Sequence, residues 1–277
     1  MSGDGSAGAS IVTAPVVGST PRAGGMLVVD GLVRHFGGVK AVDGCSFEIK
    51  PGTISALIGP NGAGKTTTVN LIAGALRSDR GRIVFNGSDL TGKRPHQIAE
   101  QGLVRTFQIS REYASMTVLE NLMVSPLHQS GERLLNVLFR PGRWRNEERQ
   151  HLERSLEVLD EFGLYAKRDD YAGSLSGGQK RLLELARAVM AAPKMLLLDE
   201  PLAGINPALT ARVADHIERL REGGITFLLV EHNLEIVERI CDHVVVMALG
   251  ATLATGTMAD LRKNDAVVQA YLTGGGI

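Results

Sequence analysis

The sequence has no charge imbalance and few aromatic residues. Lys and Arg together number 30, as do Asp and Glu, so the formal net charge is zero. A protein dedicated to nucleic-acid binding usually carries a marked basic excess, and stacking on bases requires aromatic side chains, which make up only 4% of this chain. These two absences argue against a nucleic-acid-binding protein.

Cysteines are also scarce, and long apolar runs are missing. Cys45 and Cys241 lie far apart without a CxxC spacing, which predicts neither a zinc site nor a disulfide framework and favours a reducing compartment. No apolar stretch reaches the ~18 residues that a membrane-spanning helix needs, and the N-terminus lacks the pattern of a secretory signal. We therefore expect a cytosolic protein that reaches a membrane only through a partner.

The middle of the chain, by contrast, shows a regular alternation of apolar runs and helix-like stretches. Residues 1–25 are rich in Gly, Ser, Ala and Pro, which predicts a disordered tail, and 274–277 predict a second, flexible one. Four short continuous apolar runs are typical of strands buried on both faces of a parallel sheet: Ile54–Ile58, Met195–Leu198, Thr226–Val230 and Val244–Met247. The segment between the tails, 26–273, is therefore predicted to form one α/β domain.

A region without strand signal interrupts this pattern. Residues 110–171, approximately, contain helical periodicity instead, which predicts a helical subdomain inserted into the α/β core. Its clearest helix is expected over 146–162, where leucines recur at helical spacing and Asn146 is a suitable N-cap.

The segment from Gly59 to Thr66 fits the phosphate-binding pattern G-x-x-x-x-G-K-[ST]. It follows the apolar run Ile54–Ile58 and precedes a helical run over 66–75, which is the structural context that the motif requires. Glycines allow backbone N–H groups to surround phosphates at the helix N-terminus. Lys65 is expected to neutralise the β- and γ-phosphates of ATP, and the Thr66 hydroxyl to bind Mg²⁺.

Two carboxylates end the apolar run that begins at Met195. Buried strands seldom finish in paired acids unless a cation is near. Asp199 is therefore a candidate Mg²⁺ partner, and Glu200 a candidate base that orients or deprotonates the attacking water.

The run Leu175–Gln179 reads LSGGQ and lies just upstream of this acidic strand. With the phosphate loop, it makes the sequence resemble the ATP-binding cassette (ABC) proteins over about 27–272. The resemblance implies an α/β fold: a P-loop NTPase ABC ATPase core with an inserted α-helical subdomain and an N-terminal antiparallel β portion. It also implies a head-to-tail dimer, in which the LSGGQ loop binds ATP held by the opposite subunit.

Several site residues follow only from that resemblance. Gln108 occupies the position that senses the γ-phosphate or Mg²⁺, His232 the position of a switch histidine, and Phe36 the position that stacks on adenine, although ordinary packing of Phe36 is nearly as plausible. Asn206 stands where many members have Asp, so communication across the dimer is expected to be tuned differently. The predicted catalytic residues are Glu200, His232 and Gln108; the metal ligands are Thr66, Gln108 and Asp199; and the nucleotide-binding residues are Phe36, Gly59, Pro60, Asn61, Gly62, Ala63, Gly64, Lys65, Thr66, Thr67, Ser176, Gly177, Gly178 and Gln179.

Within the ABC proteins, four stretches look like the ATPase subunits of branched-chain amino acid importers. They are 105–108 (RTFQ), 118–122 (VLENL), 200–207 (EPLAGINP) and 230–233 (VEHN). The resemblance implies ATP and Mg²⁺ as cofactors, and as partners a second ABC ATPase subunit (a homo- or heterodimer), transmembrane permease subunits and, indirectly, a periplasmic or extracellular binding protein. It places the chain peripherally at the cytoplasmic face of the inner or plasma membrane, with no nucleic-acid partner.

Other functions stay open at this point. Urea and short-amide importers, and to a lesser degree lipopolysaccharide exporters, share these features. A soluble ABC ATPase acting on DNA or ribosomes is disfavoured by the zero net charge and the single cassette. An ordinary phosphate-loop kinase would make the LSGGQ match accidental. The insert over 134–149 contains four arginines, at 140, 143, 145 and 149. It is either a helical face near anionic lipid headgroups or a solvated helical face, and the second interpretation is favoured.

Overall fold

The structure is a computed structural model, and it describes residues 24–106, 112–127 and 141–274. Residues 1–23 and 275–277 of the predicted tails lie outside these ranges, as does Gln108. Strands alternate with helices along the described chain, so the α/β prediction is confirmed.

A small antiparallel sheet is formed by strands that lie before and after the phosphate loop in the chain. It has the strand order β2-β1-β4-β5, with all three pairings antiparallel. Alternate residues of β1 are buried while their neighbours are partly or fully exposed, which is typical of a strand with one face on the core. The strands are β1 (Leu27–Phe36), β2 (Val39–Ile49), β4 (Arg80–Phe85) and β5 (Ser88–Asp89).

The second sheet forms the centre of the molecule, with the order β10-β9-β3-β8-β7-β6. Its strands are parallel except β10, which runs antiparallel to β9. Every residue of β3, β7 and β8 is buried, as their continuous apolar sequences predict. The strands are β3 (Ile54–Ile58), β6 (Leu103–Arg105), β7 (Met195–Asp199), β8 (Thr226–Val230), β9 (His243–Ala248) and β10 (Ala251–Gly256).

Nine helices accompany these sheets in the part of the chain that the structure describes. They are α1 (Lys65–Ile72), α2 (Pro95–Glu100), α3 (Val118–Met123), α4 (Pro141–Glu161), α5 (Gly177–Met190), α6 (Pro207–Glu222), α7 (Leu234–Ile240), α8 (Met258–Leu261) and α9 (Asp265–Gly274), with short 3₁₀ turns at Tyr165–Lys167 and Ala172–Ser174. No helix within these ranges has the length and apolarity needed to span a bilayer.

Helices α3, α4 and α5 lie between β6 and β7 in the chain and contact one another. The predicted helix over 146–162 exists, but it begins at Pro141, so the expectation that Asn146 caps it is wrong. The leucine periodicity identifies the apolar face of a helix but does not show where the helix begins.

The register of the central sheet determines which loops meet. Asp199 at the end of β7 is opposite Val230 at the end of β8, and Leu57 of β3 is opposite Val230 on the other side. Because parallel strands end at the same edge of a sheet, the loops after β3, β7 and β8 emerge side by side. These loops contain the phosphate-binding motif, Glu200 and His232.

A buried histidine connects the helical region to the core. His216 of α6 is 4% exposed and stacks on Phe162, which directly follows α4, with ring centroids 4.6 Å apart. The pKa of His216 is lowered to about 4, mainly by burial and also by the charges of Arg219 and Arg212, while Asp215 opposes the shift. The Nδ1 atom has no hydrogen-bond partner among the described residues.

We expect His216 to make the protein less stable in acid. The pKa is lower in the folded chain than in the unfolded one, so the unfolded chain binds the proton first, and stability falls as the pH drops from about 6.5 towards 4. The His216→Phe variant retains an aromatic ring but has no group that binds a proton. Urea unfolding should show that, between pH 7 and pH 4.5, its free energy of unfolding falls by about 2 kcal/mol less than that of the unmodified protein. An equal loss in both proteins would contradict this assignment.

Candidate active site

The phosphate loop connects β3 to α1 through a tightly enclosed turn. Gly59 and Gly64 have φ of 151° and 95°, the region that favours glycine. A Cβ atom on Gly59 would lie 2.2 Å from the Met247 carbonyl oxygen, and one on Gly64 would lie 2.3 Å from that of Ala41. Both positions therefore require glycine for backbone geometry as well as for space.

Lys65, the first residue of α1, is nearly buried within this loop. Its Nζ donates hydrogen bonds to the carbonyl oxygens of Gly59 at 2.7 Å and Pro60 at 2.9 Å. Burial lowers the pKa of Lys65, whereas the negative charges of Glu200 and Asp199 oppose that shift. The exposed Asn61, Gly62 and Thr66 leave the outer rim of the loop open to a ligand.

Asp199 is buried at the end of β7. Its Oδ2 accepts a hydrogen bond from Nη2 of Arg105 at 2.9 Å. The Nη1 atom of the same guanidinium group donates to Oδ1 of Asn70 on α1. The Oδ1 atom of Asp199 is buried without a hydrogen-bond partner among the described residues. A buried carboxylate oxygen with no partner is costly, so this atom fits the role of a ligand for a hydrated cation.

Glu200 and His232 form a side-chain pair at the same edge of the sheet. Glu200 Oε1 lies 2.9 Å from His232 Nε2, although the two residues are 32 positions apart. The Glu200 backbone has φ of 50°, which is unusual for a residue other than glycine, and its N–H donates to the Val230 carbonyl at 2.9 Å. A strained residue held by a neighbouring strand is typical of a functional site.

The expected LSGGQ loop is the N-terminus of α5. Ser176 caps this helix, because its Oγ accepts from the Gln179 N–H while the Gln179 side chain accepts from the Ser176 N–H. A Cβ atom on Gly178 would lie 1.9 Å from Leu209 of α6. This helix N-terminus lines an open groove of about 550 Å³. The other side of the groove is formed by residues 204–206, 208–209 and Arg212.

That groove is built apart from the phosphate loop. None of its described lining residues comes from the segment between Gly59 and Thr67. Asn206, whose side chain replaces the expected carboxylate, accepts from the Leu209 N–H at 2.9 Å and so caps α6. The amide therefore fulfils a structural role that needs no charge.

Phe36 lies at the end of β1 and is 44% exposed. The Arg34 guanidinium is 4.8 Å from its ring centroid, an arrangement in which the cation attracts the ring face. The ring is therefore at the surface, where a planar group can reach it. Gln108 lies outside the described residues, so its position relative to Asp199 stays a prediction.

Sequence reasoning missed two charged residues at this site. Arg105 was noted only as part of the RTFQ stretch, yet it contacts Asp199. Glu231 was noted only as the neighbour of His232, yet its carboxylate is buried and accepts from the Leu202 N–H. The available signal was a charged residue at the end of a strand of the central sheet or directly after it.

We expect the His232→Ala variant to lower kcat for the predicted ATP hydrolysis at least ~10-fold, because Glu200 loses the only side-chain hydrogen-bond partner that it has among the described residues. The KM for ATP should change less than about threefold, since the Lys65 loop is intact. Steady-state phosphate release measures both quantities.

His96→Ala is the matched control, because His96 is exposed on α2 and has no role in the expected site. This variant should keep the unmodified kcat. Equal rates for His232→Ala and the unmodified protein would contradict the role of His232.

The chain matches the model of the ABC transporter family over residues 42–203. It is 42% identical over 247 residues to a probable branched-chain amino acid transport ATP-binding protein LivG of Archaeoglobus fulgidus, covering 89% of this chain and 95% of that protein. It is 41% identical over 248 residues to the high-affinity branched-chain amino acid transport ATP-binding protein BraF of Pseudomonas aeruginosa, covering 89% and 97%.

Solved structures of similar chains have the same fold. One is the ADP conformation of an ATP-binding cassette of an ABC transporter, with a TM-score of 0.77, 38% identity and coverage of 90% of this chain and 98% of that one. Another is a nucleotide-free cassette, with a TM-score of 0.77 and 39% identity over 89% and 98% of the two chains.

Proposed function

This chain belongs to the ABC transporter family as an ATP-binding subunit, and from that premise we propose that it hydrolyses ATP to drive the import of branched-chain amino acids. The proposal of hydrolysis at Glu200 depends on one observation, the Glu200–His232 pair at the sheet edge beside the Lys65 loop. The proposed solute is supported by the names of relatives that the chain matches over nearly their full length.

ATP would bind with its phosphates in the loop between Gly59 and Thr67. The N–H groups at the start of α1 and the Lys65 ammonium supply positive charge there. Phe36 is exposed at the end of β1, whereas the phosphate loop follows β3, and its ring can stack on the adenine ring. These contacts bind and orient the γ-phosphate without covalent chemistry.

Glu200 would orient the attacking water and accept its proton. Its side chain is only partly exposed, and its Oε1 is held by His232. Hydrolysis then cleaves the bond between the β- and γ-phosphates, with the water oxygen added to the released phosphate. The imidazole ring of His232 would hold the Glu200 carboxylate in position towards the water, and the same ring could contact the γ-phosphate.

Asp199, Thr66 and Gln108 are the residues that would hold Mg²⁺. The Oδ1 atom of Asp199, which accepts no hydrogen bond from the part of the chain that the structure describes, and the exposed Thr66 side chain fit this role. When bound with ATP, the ion neutralises charge on the β- and γ-phosphates.

Two copies, or this chain and a similar cassette, would share each ATP. The N-terminus of α5 is exposed at Ser176 and Gly177, and a helix N-terminus attracts phosphate. Because its groove is separate from the phosphate loop of the same chain, a partner's α5 is the natural second half of the site. Residues 110–171 would form the helical subdomain that meets the permease subunits at the cytoplasmic face of the membrane.

Reconstitution tests the solute. Affinity purification of this chain from its native membranes, followed by insertion of the copurifying membrane subunits into liposomes, should give ATP-dependent uptake of leucine, isoleucine or valine when the copurifying binding protein is added. The same preparation made with Glu200→Gln should not transport. Uptake of urea or short amides instead, or movement of lipopolysaccharide, would refute the proposed solute.

A further inference from the structure

Glu231 is a buried acid that the proposed chemistry does not use. It lies between Val230, the last residue of β8, and His232, and is 3% exposed. The pKa of its carboxyl group is raised to about 7, mainly by burial and also by the nearby charge of Glu200. Carboxylates are rarely buried without compensating hydrogen bonds, so its partners indicate what it does.

Those partners come from two different loops. The Leu202 N–H donates to Glu231 Oε1 at 3.3 Å, across 29 residues of sequence. The backbone N–H groups of His232 and Asn233, the next residues along the chain, lower the pKa of this carboxyl group against the effect of burial. This hydrogen bond therefore joins the turn after Glu200 to the loop that carries His232, because Glu231 itself belongs to that loop.

Glu200 is hydrogen-bonded to the residues on both sides of Glu231. Its N–H donates to the carbonyl oxygen of Val230, the residue directly before Glu231. Its carboxylate is hydrogen-bonded to the imidazole ring of His232, the residue directly after Glu231. Leu202, two residues beyond Glu200, is itself 5% exposed. A shift of Leu202 relative to His232 would therefore change the geometry of the Glu200–His232 pair.

We propose that Glu231 is a positioning residue that joins the Leu202 turn to the His232 loop and thereby sets the geometry of the Glu200–His232 pair. This inference rests on the proposed hydrolytic role of that pair. Glu231 does not contact the nucleotide in this scheme. Displacement of a reacting group by about 1 Å can cost ~100-fold in rate, so a support of this kind affects turnover more than binding.

Two substitutions separate this role from space filling. Glu231→Met fills a similar volume but has no strong acceptor, and we expect kcat for ATP hydrolysis to fall ~10-fold or more. Glu231→Gln keeps one acceptor oxygen for the Leu202 N–H and should retain kcat within about threefold. In both variants the Kd for a nonhydrolysed ATP analogue, measured by calorimetry, should stay within about threefold, because the Lys65 loop is unchanged.

Glu161→Met is the matched control, since Glu161 is a partly buried acid of α4 whose pKa is also raised by burial. It should leave kcat unchanged. An unmodified kcat in Glu231→Met would overturn the proposal, as would a Glu231→Gln variant as slow as Glu231→Met. If Glu231→Met does not fold by circular dichroism, Glu231→Asp replaces it, because its carboxylate is one methylene shorter and should show the same loss relative to Glu231→Gln.

A double-mutant cycle tests whether the effect passes through the pair. In the His232→Ala background, adding Glu231→Met should slow hydrolysis less than about twofold further. Independent, multiplying losses would overturn the proposal. The Glu200→Gln variant tests the hydrolytic site separately, and full activity of this variant would refute the proposed function. If Glu200→Gln is inactive but Glu231→Met hydrolyses ATP at the unmodified rate, only the inference about Glu231 is refuted.

Discussion

The Glu200→Gln variant is expected to bind ATP like the unmodified protein but to hydrolyse it at least ~100-fold more slowly. The amide keeps the size of the side chain and one acceptor oxygen for His232, but it cannot take a proton from water. General-base catalysis typically contributes ~10²–10⁴-fold, which sets the expected loss. Phosphate release under saturating ATP measures turnover, and calorimetry measures the Kd.

The same variant tests the shared site. With ATP and Mg²⁺ present, Glu200→Gln should elute as a dimer in size-exclusion chromatography, because the nucleotide that joins the two halves is not consumed. Replacing ATP by ADP should return it to the monomer. A monomer under both conditions would contradict completion of the site by Ser176 and Gly177 of a partner.

The Lys65→Ala variant is expected to weaken ATP binding ~100-fold or more. The Lys65 ammonium lies inside the phosphate loop, and a charge-assisted hydrogen bond is worth about 1.5–3 kcal/mol. Its removal also leaves the Gly59 and Pro60 carbonyl oxygens without this donor, so the loop loses an internal support. The Kd from calorimetry with a nonhydrolysed ATP analogue checks the prediction.

Lys167→Ala is the control for this measurement. Lys167 is exposed and paired with Asp170 in a short turn far along the chain from the loop, and surface pairs contribute little. It should bind the analogue with unchanged affinity. Normal binding by Lys65→Ala would refute the assignment of the phosphate loop.

Continuous features of the fold were accessible from the sequence. The runs Ile54–Ile58 and Thr226–Val230 are strands with the predicted bounds, because a strand covered on both faces must be apolar throughout. The phosphate loop was equally visible, since its glycines and lysine are adjacent in the chain. Local rules failed at the start of α4, where residues 141–145 (PGRWR), which lie before Asn146, already belong to the helix.

What the sequence by itself determined is the set of local motifs: the loop from Gly59 to Thr66, the acids after β7 and the LSGGQ run. Only the tertiary structure decided which distant side chains meet. Strand register places Glu200 against His232, Asp199 against Arg105 and the Leu202 turn against Glu231. These contacts join residues 29 to 94 positions apart, and sequence spacing cannot reveal them because they depend on the order of strands in the sheet rather than on neighbours in the chain.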